Sequence, residues 1–288
     1  MSQYRPEAPA PHHDADLLAK ASGENFPVAL TVLPRRYRER LQAVYRFARY
    51  VDDLGDEAPE PREPRLNEVA DEVRRLYADE QVSDPVVAAL APLRADCAIS
   101  DGPWLRLIEA NLVDQRRHAY QTFDDLLSYC KLSADPVGEI VLHVFGKATP
   151  ERLALSNRIC TGLQLLEHWQ DVGEDARRGR VYLPAEDLDR FDVSVDELAL
   201  PVASERLRAL LAFETDRATA WLDSGAGLLA TLRGWAWLSV SGYLAGGRAA
   251  AAAIRRAGHD PLANNAKPSS KDMAAAWLKG LFGAVVRR

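Results

Sequence analysis

The sequence predicts an all-α protein folded as one domain. Apolar residues recur at the spacing of a helix face along nearly all of the 288 residues. Two-residue alternation with hairpin turns is not sustained anywhere, and only 181–183 reads as β-like. The chain also lacks internal repeats and a linker long enough to separate two domains. These observations indicate roughly ten helices that pack as one bundle.

The predicted helices follow one another in chain order. The first begins after Pro34 and continues through Asp56, and the prolines of EAPEPREPR (57–65) end it. The longest uncharged stretch, 234–247, is too short to span a bilayer, so a buried core helix is expected there. Further helices are predicted over 66–80, 84–97, 102–120, 122–132, 135–145, 151–177, 203–229, 235–258 and 270–286.

Composition excludes several classes of protein. The chain is 47% hydrophobic and 27% charged with a net charge of −6, and no basic tract suggests binding to nucleic acid. Its three cysteines form no C-x-x-C pair, which is typical of reduced structural thiols in a cytoplasmic protein. The polar, proline-rich start lacks the apolar run of a signal peptide. We therefore expect a disordered tail at 1–16, a folded domain at 17–288 and a cytoplasmic location.

A column of acidic residues stands in the stretch LQLLEHWQDVGEDARRGRVYLP (163–184). Glu167, Asp171 and Asp175 are four residues apart, so an α-helix places them on one face, one turn above another. Like charges in this arrangement repel and are tolerated only in open solvent or beside a neutralising cation. Because leucine, tryptophan and valine flank the column, the sequence favours a metal site.

A second acidic column lies in RYVDDLGD (49–56), within the first predicted helix. Asp52 and Asp56 are one turn apart, and Asp53 is adjacent to them. One such pair is common on surface helices, whereas two pairs within apolar sequence are harder to dismiss. Two aspartate columns suit Mg²⁺ ions that bridge the protein to a diphosphate and assist carbon–oxygen cleavage. Arg49 either contacts the phosphate or forms a salt bridge with Asp53, and the sequence leaves both alternatives open.

A di-iron carboxylate bundle is the rival metal chemistry. It requires Glu-x-x-His on two helices. Here Glu167 and His168 are adjacent and therefore point in different directions, and no second motif of this kind occurs in a suitable place. The spacing argues against the di-iron interpretation.

Both acidic motifs, and their order, resemble those of the squalene/phytoene synthase family. The resemblance covers residues 25–260 and rests on YRFARYVDDLGDE (45–57), YCKLSADPVG (129–138) and the stretch at 163–184. Within the family, GENFPVALTVLP (23–34) and the variants SADPVG and EHWQD most resemble the hydroxysqualene synthase branch of the hopanoid pathway. The resemblance therefore implies an isoprenoid synthase helical bundle with a central cavity.

The resemblance also implies where the diphosphate would bind. Mg²⁺, as two or three ions, would be the cofactor, consistent with its preference for carboxylates and phosphate oxygens. Tyr45 and Arg49 would line the phosphate pocket, and Arg180 would reach the diphosphate from the GRVYLP turn. The ions would be held by Asp52, Asp53, Asp56, Asp171 and Asp175.

Other residues are implied in the channel where the carbocation would form. Tyr129, Val137 and Gly138 would flank this channel, and Gln164 would project into it near the second acidic motif. Phe26 and Phe47 are expected either as channel walls, where aromatic faces stabilise a cation, or as ordinary core residues.

Two residues depart from the pattern of many relatives. Glu167 stands where they have asparagine, and Gln170 stands where they have arginine. One negative charge is added and one positive charge is lost, which changes how a diphosphate is held. We therefore expect a catalytic role for Glu167, a substrate-binding role for Gln170, and a second-step enzyme that converts presqualene diphosphate to hydroxysqualene.

No G-x-G-x-x-G follows a strand, so NADPH is not expected and water would end the reaction.

Two alternative functions stay open. A condensing synthase would make presqualene diphosphate, squalene or phytoene from two prenyl diphosphates, such as farnesyl diphosphate. A non-catalytic subunit of a hopanoid-pathway complex would carry the same motifs, and contact with other squalene-pathway enzymes is an expectation for the chain in general.

The C-terminal segment 270–288 is expected either as a packed helix or as an interfacial helix at the inner face of the membrane, with Trp277, Leu281 and Phe282 on one side.

Overall fold

The computed structural model describes residues 33–264, 266–269, 271–273 and 275–277. Within these residues there is no β-strand, and the β-like pairing found is a single parallel bridge between Ala119 and Val181. The all-α prediction is confirmed, and the bridge involves the segment that reads as β-like. The tail at 1–16, Phe26 and most of the helix expected at 270–286 lie outside the described residues.

The helices occur in the predicted order. They are α1 Arg35–Asp56, α2 Glu63–Tyr77, α3 Pro85–Ala88, α4 Ala91–Cys97, α5 Gly102–Asp114, α6 Phe123–Ser133, α7 Asp135–Val144, α8 Pro150–Arg177, α9 Ala185–Arg190, α10 Glu205–Ser224, α11 Leu228–Thr231 and α12 Gly234–Arg256, with a 3₁₀-helix at Val195–Ala199 between α9 and α10.

Helix boundaries differ from the predictions mainly beside proline and glycine. The helix predicted over 84–97 is divided into α3 and α4, because Pro92 supplies no backbone N–H and takes the first turn of a new helix. The helix predicted over 203–229 ends at Ser224, next to Gly225. The helix predicted to reach residue 120 ends at Asp114, and α9 and the 3₁₀-helix were not predicted.

The central element is α8, which packs against α7, α10 and α12. Gly162 allows α10 to approach it closely, because a Cβ atom at this position would lie 2.6 Å from the backbone nitrogen of Leu222. The uncharged stretch 234–247 lies in α12, where most side chains are buried, as predicted. In the part of the chain that the structure describes, no helix is long and apolar enough to cross a membrane.

Both acidic motifs occupy the C-terminal ends of their helices. Asp52 and Asp56 lie in the last turns of α1, and Asp171 and Asp175 lie in the last turns of α8. The C-terminal end of a helix carries the negative end of the helix dipole, so carboxylates there are electrostatically unfavourable. Unfavourable charge at the ends of two helices makes this region a candidate binding site.

A separate acidic residue, Glu214, is fully buried on α10. Arg217 Nη1 lies 3.2 Å from Glu214 Oε1 and 2.8 Å from Asp187 Oδ2. Among the described residues, Glu214 Oε2 has no hydrogen-bond partner. Burial raises the pKa of Glu214 to about 8, partly opposed by Arg217 and reinforced by Asp187.

This raised pKa predicts that Glu214 makes stability depend on pH. Between the usual glutamate pKa of 4.5 and about 8, the unfolded chain loses the proton while the folded chain keeps it, so the stabilising contribution is lost as pH rises through this window. Glu214→Gln keeps the shape and cannot ionise. We expect its melting temperature to exceed that of the wild type by about 4 °C at pH 8, for a difference of about 2 kcal/mol, and by much less at pH 5. Parallel melts of exposed Glu205→Gln provide the control, and a gap that does not widen with pH would contradict the prediction.

Candidate active site

The first acidic motif is tied to two other parts of the chain. Asn111 on α5 donates a hydrogen bond of 3.1 Å to Asp52 Oδ1, and Arg180 Nη2 lies 2.7 Å from Asp56 Oδ1. Burial raises the pKa of Asp52 to about 6, opposed by the Asn111 hydrogen bond and reinforced by the charge of Asp56. The Asp52 side chain is nevertheless exposed to solvent, which reaches it through a recess between helices.

Arg49 forms the salt bridge that was one of its two predicted alternatives. Its Nη2 atom lies 2.7 Å from Asp53 Oδ1 and 3.4 Å from Glu57 Oε1. Asp53 is therefore paired within α1, as Asp56 is paired with Arg180, and its role as a metal ligand stays a prediction. Arg49 also lines the recess, so a contact with phosphate remains open to it.

The recess has a volume of about 490 Å³ and carries charges of both signs. Carboxylates attract metal ions and guanidinium groups attract phosphate oxygens, so a mixed lining suits a metal–diphosphate unit. The lining consists of Arg49, Asp52, Asp53, Asp56, Glu57, Arg62, Glu174, Arg178 and Arg180. Glu174 also belongs to a second depression, which reaches Asp171 and connects the recess to the second motif.

The second acidic motif lies on α8 with the predicted spacing. Burial raises the pKa of Asp175 to about 7, and the neighbouring charge of Asp171 adds to this increase while Arg180 opposes it. Arg180 thus interacts electrostatically with Asp56 of the first motif and with Asp175 of the second. The helix ends at Arg177, and Gly179 follows with φ of +81°, a conformation that glycine adopts without strain and that turns the chain towards Arg180.

An apolar cavity of about 270 Å³ opens beside the second motif. Its polar end contains Gln164, Glu167, Gln170 and Asp171, and its walls include the predicted residues Val137 and Gly138. The remaining wall is mainly aliphatic, with Val141, Leu142, Ile159, Leu163, Leu228 and Val240, and it also includes Tyr243. The cavity therefore combines an acidic end with a lining suited to hydrocarbon.

Tyr129 has a different environment from the one expected. Its hydroxyl donates a 2.6 Å hydrogen bond to Asp114 Oδ2, and Tyr182 donates to the other oxygen of Asp114 at 3.2 Å. The ring of Tyr182 stacks on His168 at 3.7 Å between centroids, and Gln164 Nε2 lies 3.3 Å from His168 Nε2. Burial lowers the pKa of His168 to about 3, so this imidazole is neutral. Tyr129 is buried and is not among the residues that line the cavity, which favours a positioning role over direct contact with substrate.

Asp114 was not identified from the sequence, although it connects three parts of the site. It lies on the same helix as Asn111, and it holds Tyr182 of the turn that carries Arg180. Burial raises the pKa of Asp114 to about 6, opposed by Tyr129 and then by Arg180. The signal in the sequence was the position of Asn111 and Asp114 beside apolar residues of the predicted helix, because polar groups buried there require hydrogen-bond partners.

We predict that Asp114→Asn reduces kcat about tenfold, because an amide nitrogen replaces one of the two oxygens that accept from the tyrosines. Looser packing of Tyr182 would let Arg180 move away from Asp56. Steady-state kinetics with the prenyl diphosphate that the resemblance implies as substrate measures the loss of kcat. A thermal melt measures the looser packing. Glu109→Gln on the exposed side of the same helix is the control, and an unchanged kcat for Asp114→Asn would contradict the positioning role.

Two expected aromatic residues are placed as follows. Phe47 is fully buried and packs edge-on against Trp104 at 5.2 Å between ring centroids. Phe47 thus packs in the core, which was its alternative, and it is not among the residues that line the apolar cavity. Tyr45 is half-buried on α1, one turn before Arg49.

The acidic residues fit Mg²⁺ rather than a metal bound by protein alone. In the described residues, no group of three or more histidine, cysteine, aspartate or glutamate side chains could hold a metal ion. Mg²⁺ keeps several waters and binds through one or two carboxylates plus substrate phosphate oxygens. The pairs Asp52/Asp56 and Asp171/Asp175 could supply such partial shells, and burial together with the neighbouring carboxylates raises the pKa values of Asp52 and Asp175.

An all-α bundle with two acidic helix ends, one of them beside an apolar cavity, is the arrangement that the resemblance to the isoprenoid synthases implies. Two solved structures have a similar fold. The squalene synthase HpnC from Alicyclobacillus acidocaldarius has a TM-score of 0.76 and 38% identity, covering 86% of this chain and 95% of its own. A dehydrosqualene synthase in complex with ligand has a TM-score of 0.85 at 21% identity, covering 94% and 96% of the two chains, and supports the fold alone.

The chain belongs to the squalene/phytoene synthase family, whose sequence profile matches residues 19–272. A phytoene synthase from Mycobacterium tuberculosis is 31% identical over 217 residues, which are 74% of this chain and 71% of the relative. A hydroxysqualene synthase from Rhodopseudomonas palustris is 32% identical over 211 residues, which are 73% and 72% of the two chains. Both the family and the fold implied by the resemblance are therefore confirmed.

Proposed function

We propose that this protein is a hydroxysqualene synthase acting on presqualene diphosphate. In the reaction the carbon–oxygen bond to the diphosphate breaks, and the electron pair leaves with the diphosphate. The resulting cyclopropylcarbinyl cation rearranges, a water oxygen adds to it, and one proton is released to give hydroxysqualene. Bound Mg²⁺ would neutralise charge on the departing diphosphate.

The observation that carries the proposal is the polar end of the apolar cavity. Gln164 and Glu167 face this cavity one helical turn apart, next to Asp171. A carboxylate and an amide can hold one water by hydrogen bonds, and the carboxylate can accept its proton as the oxygen adds to the cation. An asparagine in place of Glu167, as the resemblance implies for many relatives, would be a poorer proton acceptor.

The other residues would bind and orient the substrate. Asp52 and Asp56 would hold metal on one side of the diphosphate, and Asp171 and Asp175 on the other. Arg180 would contact phosphate oxygens, since its guanidinium pairs with Asp56 and interacts electrostatically with Asp175. The aliphatic wall with Val137 and Gly138 would enclose the hydrocarbon chains and keep other water away from the cation.

A condensing synthase is the second candidate, because phytoene synthases match the chain as well as hydroxysqualene synthases do. Such an enzyme would join two prenyl diphosphates before any second step. The lower charge of Gln170 compared with arginine favours a site that handles one diphosphate. The 38% identity to the squalene synthase HpnC from Alicyclobacillus acidocaldarius also favours the squalene branch over the phytoene branch.

The deciding experiment supplies purified protein and Mg²⁺ with either presqualene diphosphate or farnesyl diphosphate. We expect hydroxysqualene and released diphosphate from presqualene diphosphate, without NADPH, and no product from farnesyl diphosphate. Formation of any C30 product from farnesyl diphosphate alone would overturn the proposal in favour of a condensing enzyme. Absence of turnover with both substrates would favour a non-catalytic subunit.

The chemistry also suggests where the protein works. Presqualene diphosphate has a charged head and a hydrocarbon body, and hydroxysqualene is insoluble in water. A cytoplasmic enzyme with peripheral contact to the inner membrane face, or contact with the enzyme that supplies its substrate, would avoid release of these chains into water.

A further inference from the structure

A lysine from beyond the last long helix pairs with one carboxylate of the second acidic motif. Lys267 Nζ lies 2.7 Å from Asp171 Oδ1. The charges of Asp171, Glu174 and Glu167 raise the pKa of Lys267, against an opposing effect of burial. The ammonium group therefore pairs with Asp171 and is influenced electrostatically by two further carboxylates of α8, Glu174 and Glu167.

The lysine is placed by the backbone beside it. Gln170 Nε2 donates a 2.6 Å hydrogen bond to the carbonyl oxygen of Ala266, and Gln170 is buried. The preceding turn is fixed by Asp260, which is buried, accepts from the backbone N–H groups of Ala203 and Ala263, and pairs with Arg208 at 2.9 Å. Lys267 is thus held over Asp171 by an anchored segment.

The position of this ammonium conflicts with metal binding at the same carboxylate. Lys267 belongs to the lining of both the apolar cavity and the depression beside the second motif, so it stands at the boundary between them. A cation bound to Asp171 would repel the ammonium at close range. A diphosphate at the site would instead attract it, because phosphate oxygens accept hydrogen bonds from ammonium groups.

We propose that Lys267 is a tethered counter-ion that makes metal binding at Asp171 depend on diphosphate. Without diphosphate, the ammonium pairs with Asp171 and competes with Mg²⁺. With diphosphate present, the ammonium has an alternative partner and Asp171 becomes available to the metal. This inference rests on the proposed metal site, and it adds a coupling between the two ligands that the acidic motifs alone do not supply.

The test measures Mg²⁺ affinity by calorimetry on the full chain, with and without inorganic pyrophosphate. The wild type is expected to bind Mg²⁺ more weakly without pyrophosphate than Lys267→Met does, by about fivefold, the size of a partly exposed ion pair. Pyrophosphate should therefore tighten Mg²⁺ binding more in the wild type than in Lys267→Met. Lys267→Arg keeps the charge and should behave like the wild type, as should Lys271→Met, which removes an exposed lysine nearby.

The outcomes separate this inference from the proposed function. Equal Mg²⁺ affinities for the wild type and Lys267→Met, with coupling to pyrophosphate unchanged, would overturn the inference and leave the metal site standing. Weaker Mg²⁺ binding by Lys267→Met would also overturn it, because the lysine would then support the metal. Absence of Mg²⁺ binding by every variant, even with pyrophosphate, would overturn both the inference and the metal assignment.

Discussion

The double substitution Asp52→Ala with Asp171→Ala is expected to reduce the rate of diphosphate release by at least about 10⁴-fold. The two carboxylates belong to different helices, so neither motif could hold its metal fully after the change. The departing diphosphate would then develop charge without a compensating cation. Single-turnover release of diphosphate from presqualene diphosphate, at saturating Mg²⁺, measures the effect.

The same variant should not lose stability. Carboxylates at the C-terminal ends of α1 and α8 oppose the helix dipoles, so their removal is expected to leave the melting temperature unchanged or raised. A loss of activity with retained stability separates a functional role from a folding defect. Asp189→Ala, at an exposed aspartate on α9, is the matched control, and normal turnover by the double variant would refute the metal assignment.

Local spacing was sufficient to predict the acidic columns. Residues four apart share a helix face whatever the rest of the fold does, so the geometry of Asp171 and Asp175 follows from the sequence alone. Phe47 shows the limit of this reasoning. Its helical spacing identifies an apolar face, but whether that face meets the cavity or the core depends on Trp104, which is far away in the chain.

The partners of the acidic residues could not be predicted, because each comes from a distant segment. Asn111 reaches Asp52 across 59 residues, and Arg180 reaches Asp56 across 124 residues. Gln170 reaches Ala266 across 96 residues. Pairings of this kind depend on how helices pack, and a single sequence contains no direct signal for them. The columns were therefore predictable, whereas the charges that balance them were not.

These partners change how the acidic columns are understood. The sequence predicted two similar aspartate pairs, both available to bind metal. In the structure, Asp56 is paired with Arg180 and Asp171 is paired with Lys267, so each of the two aspartate pairs contains one carboxylate that already has a cationic partner. Asp52 and Asp175 keep raised pKa values because burial and like charges outweigh their compensation. The two members of each pair therefore differ: Asp56 and Asp171 have cationic partners, whereas Asp52 and Asp175 have raised pKa values.

Glu167→Gln is expected to change which product forms more than how fast diphosphate is released. A glutamine can hold a water by hydrogen bonds, but it cannot accept the proton as the water oxygen adds to the cation. We expect the fraction of hydroxysqualene to fall at least about tenfold, with hydrocarbon products formed by loss of a carbon-bound proton in its place. Diphosphate release should fall less than about threefold, since the residue would act after ionisation.

Gas chromatography of the products, set against the amount of diphosphate released, measures this partition in one reaction. Glu174→Gln is the matched control, because Glu174 is on the same end of α8 but lines the charged recess and not the apolar cavity. It should change the rate of diphosphate release, if anything, and leave the product ratio intact. If Glu167→Gln instead lowers diphosphate release and keeps hydroxysqualene as the sole product, Glu167 acts with Asp171 on the metal side of the cavity, and the water is deprotonated by another group.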